Sequence, residues 1–226
     1  MADSVFILKR TGVVLLTVGL IDITVMIYCI VNGISYSSSF NVFAVIAGIF
    51  LLRGSLRTAS AVRWFAVFMF AAFVALLIAW PFMQPLGLTL TQLRLNPGAS
   101  VAAIVFMAFV LSLLFWLARE LGCKPIQEAR ASAGRKRRDM RVPVALGVGL
   151  VIVGGVFSAF LFGGESGERA KSMALQQVGE GYRFHVGSLN ITKNNQGTFV
   201  SSVVIAWNDK EIKNIPVSWV ERDDNK

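Results

Sequence analysis

Long apolar segments alternate with short polar connections over residues 1–164 of the chain. A helix rises 1.5 Å per residue, so about 20 apolar residues cross the roughly 30 Å hydrocarbon core of a bilayer. The second segment is the weakest, because its uninterrupted apolar run stops at Leu52. The pattern predicts an all-α membrane bundle of five transmembrane helices, at Thr11–Val31, Phe40–Thr58, Val62–Phe82, Ala99–Ala118 and Val142–Phe162.

The pattern changes after Gly164, and residues 165–226 predict a small α+β domain outside the membrane. Glu165–Val178 has apolar positions four apart and is followed by glycine, which predicts one helix. Three stretches with alternating apolar positions follow and predict a three-stranded antiparallel sheet. The alternation slips near Gly187, which indicates a β-bulge in the first strand. We expect a domain this small to need the membrane, a partner or a second copy for its stability.

Apolar and aromatic side chains alternate along the second and third predicted strands. The proline at position 216 has no N–H group to donate to a neighbouring strand, so the third strand is expected at an edge of the sheet. Trp207 and Trp219 are candidate interaction aromatics: they either form a small core under the helix or belong to an exposed face that docks a partner. The positions that share a face are Phe199, Val203, Ile205 and Trp207 in the second strand, and Ile215, Val217 and Trp219 in the third.

The composition agrees with a membrane protein and argues against a nucleic-acid partner. Charged residues make up 15% of the chain and the mean hydropathy is +0.63, whereas a soluble domain averages roughly 25% charged residues. The net charge is +9. Residues 1–164 hold all of that excess, with 14 Lys or Arg and 5 acidic residues, while the tail has 8 of each. A DNA-binding domain would carry its basic charge on a folded soluble surface.

The basic residues lie in alternate connections. Lys9 and Arg10 precede the first segment, three arginines surround the second connection, and eight Lys or Arg occupy the fourth. The first connection has none, and the third has only Arg94. Because cytoplasmic loops carry the excess of Lys and Arg, this pattern predicts a cytoplasmic N-terminus and a C-terminal domain on the opposite side. We interpret the membrane as a bacterial inner membrane, which makes the C-terminal domain periplasmic.

The densest basic cluster precedes the fifth predicted helix. It favours retention of this connection in the cytoplasm, which is a sufficient role by itself. It is also a candidate site for anionic lipid headgroups, at about 1 kcal/mol per residue. The cluster consists of Arg135, Lys136, Arg137, Arg138 and Arg141.

Asp22 lies near the middle of the first predicted helix, where an unpaired carboxylate is costly. Along two straight antiparallel helices, Asp22 would lie about 16 Å and Arg53 about 11 Å above the cytoplasmic surface. Because an arginine side chain reaches across that difference, we predict an Asp22–Arg53 ion pair within the membrane. In the alternative, Arg53 extends to the headgroups and Asp22 is protonated or faces a water-filled pathway.

Small residues spaced four apart form a candidate packing face on the fifth predicted helix. Such faces let helices approach closely in lipid. Packing within the protein's own bundle is the favoured interpretation, and homodimerisation is the alternative. The residues of this face are Ala145, Gly149, Gly155, Ala159 and Gly163.

No catalytic, metal-binding or nucleotide motif stands out, so we expect neither catalytic residues nor a metal or other cofactor. The sequence favours a non-enzymatic accessory, assembly or regulatory protein whose periplasmic domain binds another membrane or periplasmic protein. One alternative is an immunity-type protein that neutralises a membrane-active toxin. Another is a small transporter or channel that uses Asp22, although a transporter usually has several intramembrane polar residues. Homo-oligomerisation stays open.

Overall fold

The computed structural model describes residues 2–33, 40–134, 138–194 and 197–221. This part of the protein is mostly helical, with one small antiparallel sheet of three strands. The helices are α1 (Ala2–Val31), α2 (Phe40–Leu52), α3 (Leu56–Met83), α4 (Leu86–Leu95), α5 (Pro97–Glu120), α6 (Lys124–Ser132), α7 (Arg141–Gly163) and α8 (Glu165–Val178). The strands are β1 (Arg183–Asn194), β2 (Gly197–Trp207) and β3 (Ile212–Glu221). The chain divides into two compact units, Met1–Phe73 with Phe109–Gly147, and Val74–Ala108 with Val148–Lys226.

Four helices in the described ranges, α1, α3, α5 and α7, are long and apolar enough to cross a membrane. Their number and length are compatible with a membrane-embedded protein. α2 has only 13 residues and therefore extends about 20 Å, which is less than a hydrocarbon core of about 30 Å. The continuous helix expected over residues 40–58 does not form, and five helical spans are not confirmed.

α2 ends where it does because the next residues form a Schellman turn. Gly54 has a φ of +77°, in the left-handed region that glycine adopts without a Cβ clash. The N–H groups of Gly54 and Ser55 donate to the carbonyls of Leu51 and Phe50 at 2.9 and 3.1 Å. Ser55 Oγ then accepts a hydrogen bond from the N–H of Thr58 at 3.3 Å and caps the start of α3. α2 therefore ends and α3 begins within a few residues.

α1 and α2 pack with their backbones in close contact at two glycines. A Cβ added to Gly12 would lie 2.9 Å from the carbonyl oxygen of Gly48 and 3.0 Å from the nitrogen of Leu52. A Cβ added to Gly48 would lie 2.9 Å from the carbonyl oxygen of Gly12 and 2.9 Å from the nitrogen of Leu16. From Gly12 to Leu16 along α1, the contacting residue of α2 changes from Leu52 to Gly48. The two helices therefore run antiparallel.

The core of the first unit lies where the ends of several helices meet. The start of α1, the end of α2, the start of α3 and the end of α5 meet there, and α6 joins them through Ile126. At the same end, a guanidinium nitrogen of Arg10 lies 3.5 Å from a carboxylate oxygen of Glu120, and its carbon lies 5.6 Å from the centre of the Trp116 ring. The buried residues of this core are Leu8, Leu15, Ala44, Ala47, Leu51, Ala59, Val62, Ala66, Leu114, Leu117, Leu121 and Ile126.

α7 contacts α3 most closely at Gly147, which is buried. A Cβ at this position would lie 2.5 Å from the carbonyl oxygen of Phe68 and 3.0 Å from the nitrogen of Ala72. The contact therefore requires a glycine, and it fixes how closely the two helices approach.

In the second unit, the C-terminal residues fold as one helix on a three-stranded sheet. α8 has the predicted bounds, Glu165–Val178, and the strands follow in the order β1-β2-β3. β3 lies at an edge, and the register of β1 shifts between Val186 and Ser188, which confirms the predicted bulge. The start of α8 packs closely against the end of α7, since a Cβ on Gly167 would collide with the carbonyl group of Phe162.

The contact at Gly147 gives a matched pair of substitutions on one helix. We expect Gly147→Ala to lower the stability of the protein in detergent by about 1–3 kcal/mol, because its methyl group overpacks the α3 backbone. Gly149→Ala should leave stability unchanged or raise it, since a Cβ there meets nothing within 4 Å. Thermal unfolding monitored by tryptophan fluorescence compares the two, and equal losses would contradict this packing of α7.

Candidate interaction surface

One face of the sheet is covered by α8. Trp219 is 8% exposed on this face, and the guanidinium carbon of Arg169 in α8 lies 5.7 Å from the centre of its ring. The third-strand alternation is confirmed, because Ile215, Val217 and Trp219 all belong to this core. The core is built from Ala170 and Ala174 of α8, Val200, Val204 and Ala206 of β2, and these three β3 residues.

The apolar face predicted for the second strand is not the core face. Its four members alternate with Val200, Val204 and Ala206 and therefore lie on the opposite side of β2. β2 is apolar on both faces, and the residues under α8 are the smaller ones, which match two alanines on the helix. The four members on the second face are Phe199, Val203, Ile205 and Trp207.

Trp207 is buried on this second face, with 5% of its surface exposed. It pairs with Arg183 of β1. α4 lies against both side chains, since a Cβ on Gly87 would lie 3.4 Å from a guanidinium nitrogen of Arg183 and 3.7 Å from the indole nitrogen of Trp207. The helix between α3 and α5 thus contacts the C-terminal domain, and both candidate interaction tryptophans are buried in the protein itself.

The other end of the second face carries exposed apolar side chains. Phe199 is 42% exposed and pairs across the strands with Val220, which is 53% exposed. Four residues further along β2 and on the same face, Val203 pairs with Pro216, and both are exposed; the pair Ser201–Ser218 lies between the two apolar pairs. We name the four apolar residues the sheet patch. Because clusters of exposed apolar side chains mark interaction sites, the patch is the candidate interaction surface of the domain.

The sequence contained a signal for the sheet patch. From Phe199 to Trp207, apolar residues occur on both faces of β2, and a single helix covers only one face of a sheet. One set therefore had to meet another element or stay exposed. The two tryptophans that the sequence offered as interaction residues are instead buried, because their large apolar rings fill space inside the protein.

A cluster of titratable residues joins the start of β3 to the residue before β1. The Tyr182 hydroxyl donates a hydrogen bond to the Glu211 carboxylate, and Lys213 Nζ donates to Tyr182 at 2.7 Å and to Glu211 at 2.9 Å. The hydrogen bond from Tyr182, followed by that from Lys213, lowers the pKa of Glu211. The hydrogen bonds to Tyr182 and then Glu211 raise the pKa of Lys213. The three groups bind one another, as expected of a structural clasp.

The basic cluster before α7 lies partly outside the described residues, which omit Arg135, Lys136 and Arg137. Arg138 and Arg141 are described and exposed, and Arg141 is the first residue of α7. Their role at lipid headgroups stays a prediction.

The predicted small-residue face of α7 is largely open in this structure. Gly149 and Gly155 are half-buried, while Ala145, Ala159 and Gly163 are exposed. A Cβ on any of the three glycines would meet nothing within 4 Å. The close contact lies instead at Gly147, on another side of the helix. Packing through the predicted face, within the protein or between two copies, stays a prediction.

The structure does not bring Asp22 and Arg53 together. Asp22 lies ten residues beyond Gly12 along α1, and Arg53 lies five residues beyond Gly48 along the chain. Because α1 and α2 are antiparallel, these steps lead in opposite directions and separate the two positions by about 20 Å along the helix axes. The sequence-based estimate placed Phe40 at the outer surface, whereas this register places it level with about residue 20 of α1.

This separation makes a double-mutant cycle informative. We expect the effects of Asp22→Asn and Arg53→Gln on the free energy of unfolding in detergent to add within about 0.5 kcal/mol, as they do for residues that share no contact. Thermal or denaturant unfolding of the two single variants and the double variant measures the coupling. A double variant that regains the stability lost in the single ones would instead show a direct ion pair.

Comparison of the chain with protein-family models, curated proteins and solved structures finds no match. The function of the sheet patch is therefore inferred from its residues and their geometry.

Proposed function

We propose that the chain is a five-pass membrane protein with its N-terminus in the cytoplasm and its C-terminal domain in the periplasm of a bacterial inner membrane. The antiparallel course of α2 along α1 supports a return across the membrane although α2 itself is short. The basic residues Lys9, Arg10, Arg57 and Lys124 lie near the helix ends that meet in the core of the first unit. This arrangement agrees with the positive-inside rule.

The contact of α4 with Trp207 and Arg183 adds support that does not depend on α2. It requires the α3–α5 connection and the C-terminal domain to share a side of the membrane. α5 and α7 then supply two crossings between them, which agrees with their lengths.

Reporters at the two ends of the chain test this topology. We expect green fluorescent protein to fluoresce when fused before Met1, and alkaline phosphatase to be active when fused after Lys226, because each works on the side of the membrane assigned here. A phosphatase fusion at Gly134 should be inactive and serves as the control. Activity of the same reporter at both ends would mean that the α2 segment does not cross.

For this protein we infer a non-enzymatic accessory, assembly or regulatory role, in which the C-terminal domain binds another membrane or periplasmic protein. The observation that carries this function is the sheet patch. α8 builds a core without it, so Phe199, Val203, Pro216 and Val220 are not required to hold α8 on the sheet. Exposed apolar side chains on a rigid sheet favour association, since burying them releases about 25 cal/mol per Å².

A polar substitution in the patch tests the function. We expect Val203→Ser and Phe199→Ser to reduce the protein that co-purifies with the full chain in mild detergent at least several-fold, without lowering the thermal stability. Leu175→Ser is the matched control, because Leu175 is 39% exposed on α8, away from the patch. A photo-crosslinker at position 203 should trap the same protein.

The result that opposes this function is equally specific. If the chain purifies alone, or if the patch variants keep their partner while Leu175→Ser loses it, the patch is not the binding surface. Crosslinking to lipid alone at position 203 would instead make the patch a membrane contact.

A further inference from the structure

α2 and α3 leave an open groove between them in the first unit. Its volume is about 260 Å³. The α2 wall consists of Phe43, Ile46 and Phe50, which are 40–50% exposed, and the α3 wall includes Arg57 and Ala61. The groove is thus apolar along its length and carries one permanent positive charge.

The charge and the apolar walls occupy different parts of the groove. Arg57 is the second residue of α3, next to the turn that joins the two helices, and its side chain is exposed. At the other end, the rings of Phe43 and Phe65 lie 5.1 Å apart and connect α2 to α3. From Phe50 to Phe43 the apolar wall extends about 10 Å. The groove therefore has a cationic end at the turn and an apolar end at Phe43.

We propose that this groove binds one anionic phospholipid, with an acyl chain along the apolar wall and the phosphate at Arg57. The groove lies between α2 and α3, and α3 is long and apolar enough to cross a membrane, so in the proposed topology the groove faces lipid. A guanidinium group matches phosphate oxygens in geometry as well as charge. An anionic headgroup adds no cation beside Arg57, whereas a zwitterionic headgroup places its ammonium group there.

The α2–α3 turn fixes the position of the cationic end of the groove. The Schellman turn at Gly54 and the cap at Ser55 set the first turn of α3, on which Arg57 lies. Thr58, the next residue, also lines the groove, and its hydroxyl donates to Ser55 Oγ at 3.0 Å. The Thr58 oxygen keeps its acceptor capacity for a headgroup hydroxyl.

Native mass spectrometry of the purified full chain in detergent, with phosphatidylglycerol or phosphatidylethanolamine added, tests the groove. We expect one retained phosphatidylglycerol and a preference for it over phosphatidylethanolamine. Arg57→Gln should reduce that preference about fivefold, the effect of one arginine near an anionic lipid. Ala61→Phe should reduce retention of both lipids, because Ala61 is an exposed lining residue and the larger side chain fills the groove.

Arg119→Gln is the matched control, since Arg119 is exposed and basic but does not line the groove. It should retain the lipid as the unaltered chain does. Equal loss in Arg119→Gln and Arg57→Gln would show general surface charge rather than a site, and unchanged retention in both Arg57→Gln and Ala61→Phe would overturn the proposal. Should Ala61→Phe not fold, Arg57→Gln against Arg119→Gln decides the question alone.

Discussion

The contact between the backbones of α1 and α2 at Gly12 and Gly48 determines the position of the other features of the first unit. Water is absent inside a bilayer, so helices associate there through close van der Waals packing rather than through apolar burial. Two glycines let the backbones meet at a distance that any Cβ would prevent. The contact sets the register of α2, and the register sets the position of the α2–α3 turn, with its arginines, along α1.

The register also explains why an estimate from the sequence placed Arg53 near Asp22. Counting residues from an assumed surface works for a helix that spans the membrane alone and straight. α2 is shorter than a span, and its position follows from Gly12 and Gly48. Neither glycine has a sequence signature that identifies its partner. Ala44 and Gly48, four apart and both facing the contact region, are the signal that the sequence did hold.

The features that could be predicted from the sequence are those that local periodicity determines, and the others depend on tertiary packing. The bounds of α8, the bulge at Gly187 and the core face of β3 depend on local periodicity, and they are found as expected. The core face of β2 depends on which of two apolar faces meets α8. The close approach of Ala170 and Ala174 favours small partners such as Ala206, so the bulkier Phe199, Ile205 and Trp207 face away. Tertiary packing decides this choice, and a strand pattern does not contain it.

Two further glycines connect the C-terminal domain to its own unit in ways that matter for the sheet patch. Gly167 brings the start of α8 against the end of α7, and Gly87 brings α4 against Trp207. A sheet this small gains stability when a second element covers part of its free face. α4 supplies that cover at the Trp207 end and leaves the Phe199 end open. The same contact that supports the domain therefore buries one end of this sheet face and leaves the Phe199 end accessible to a partner.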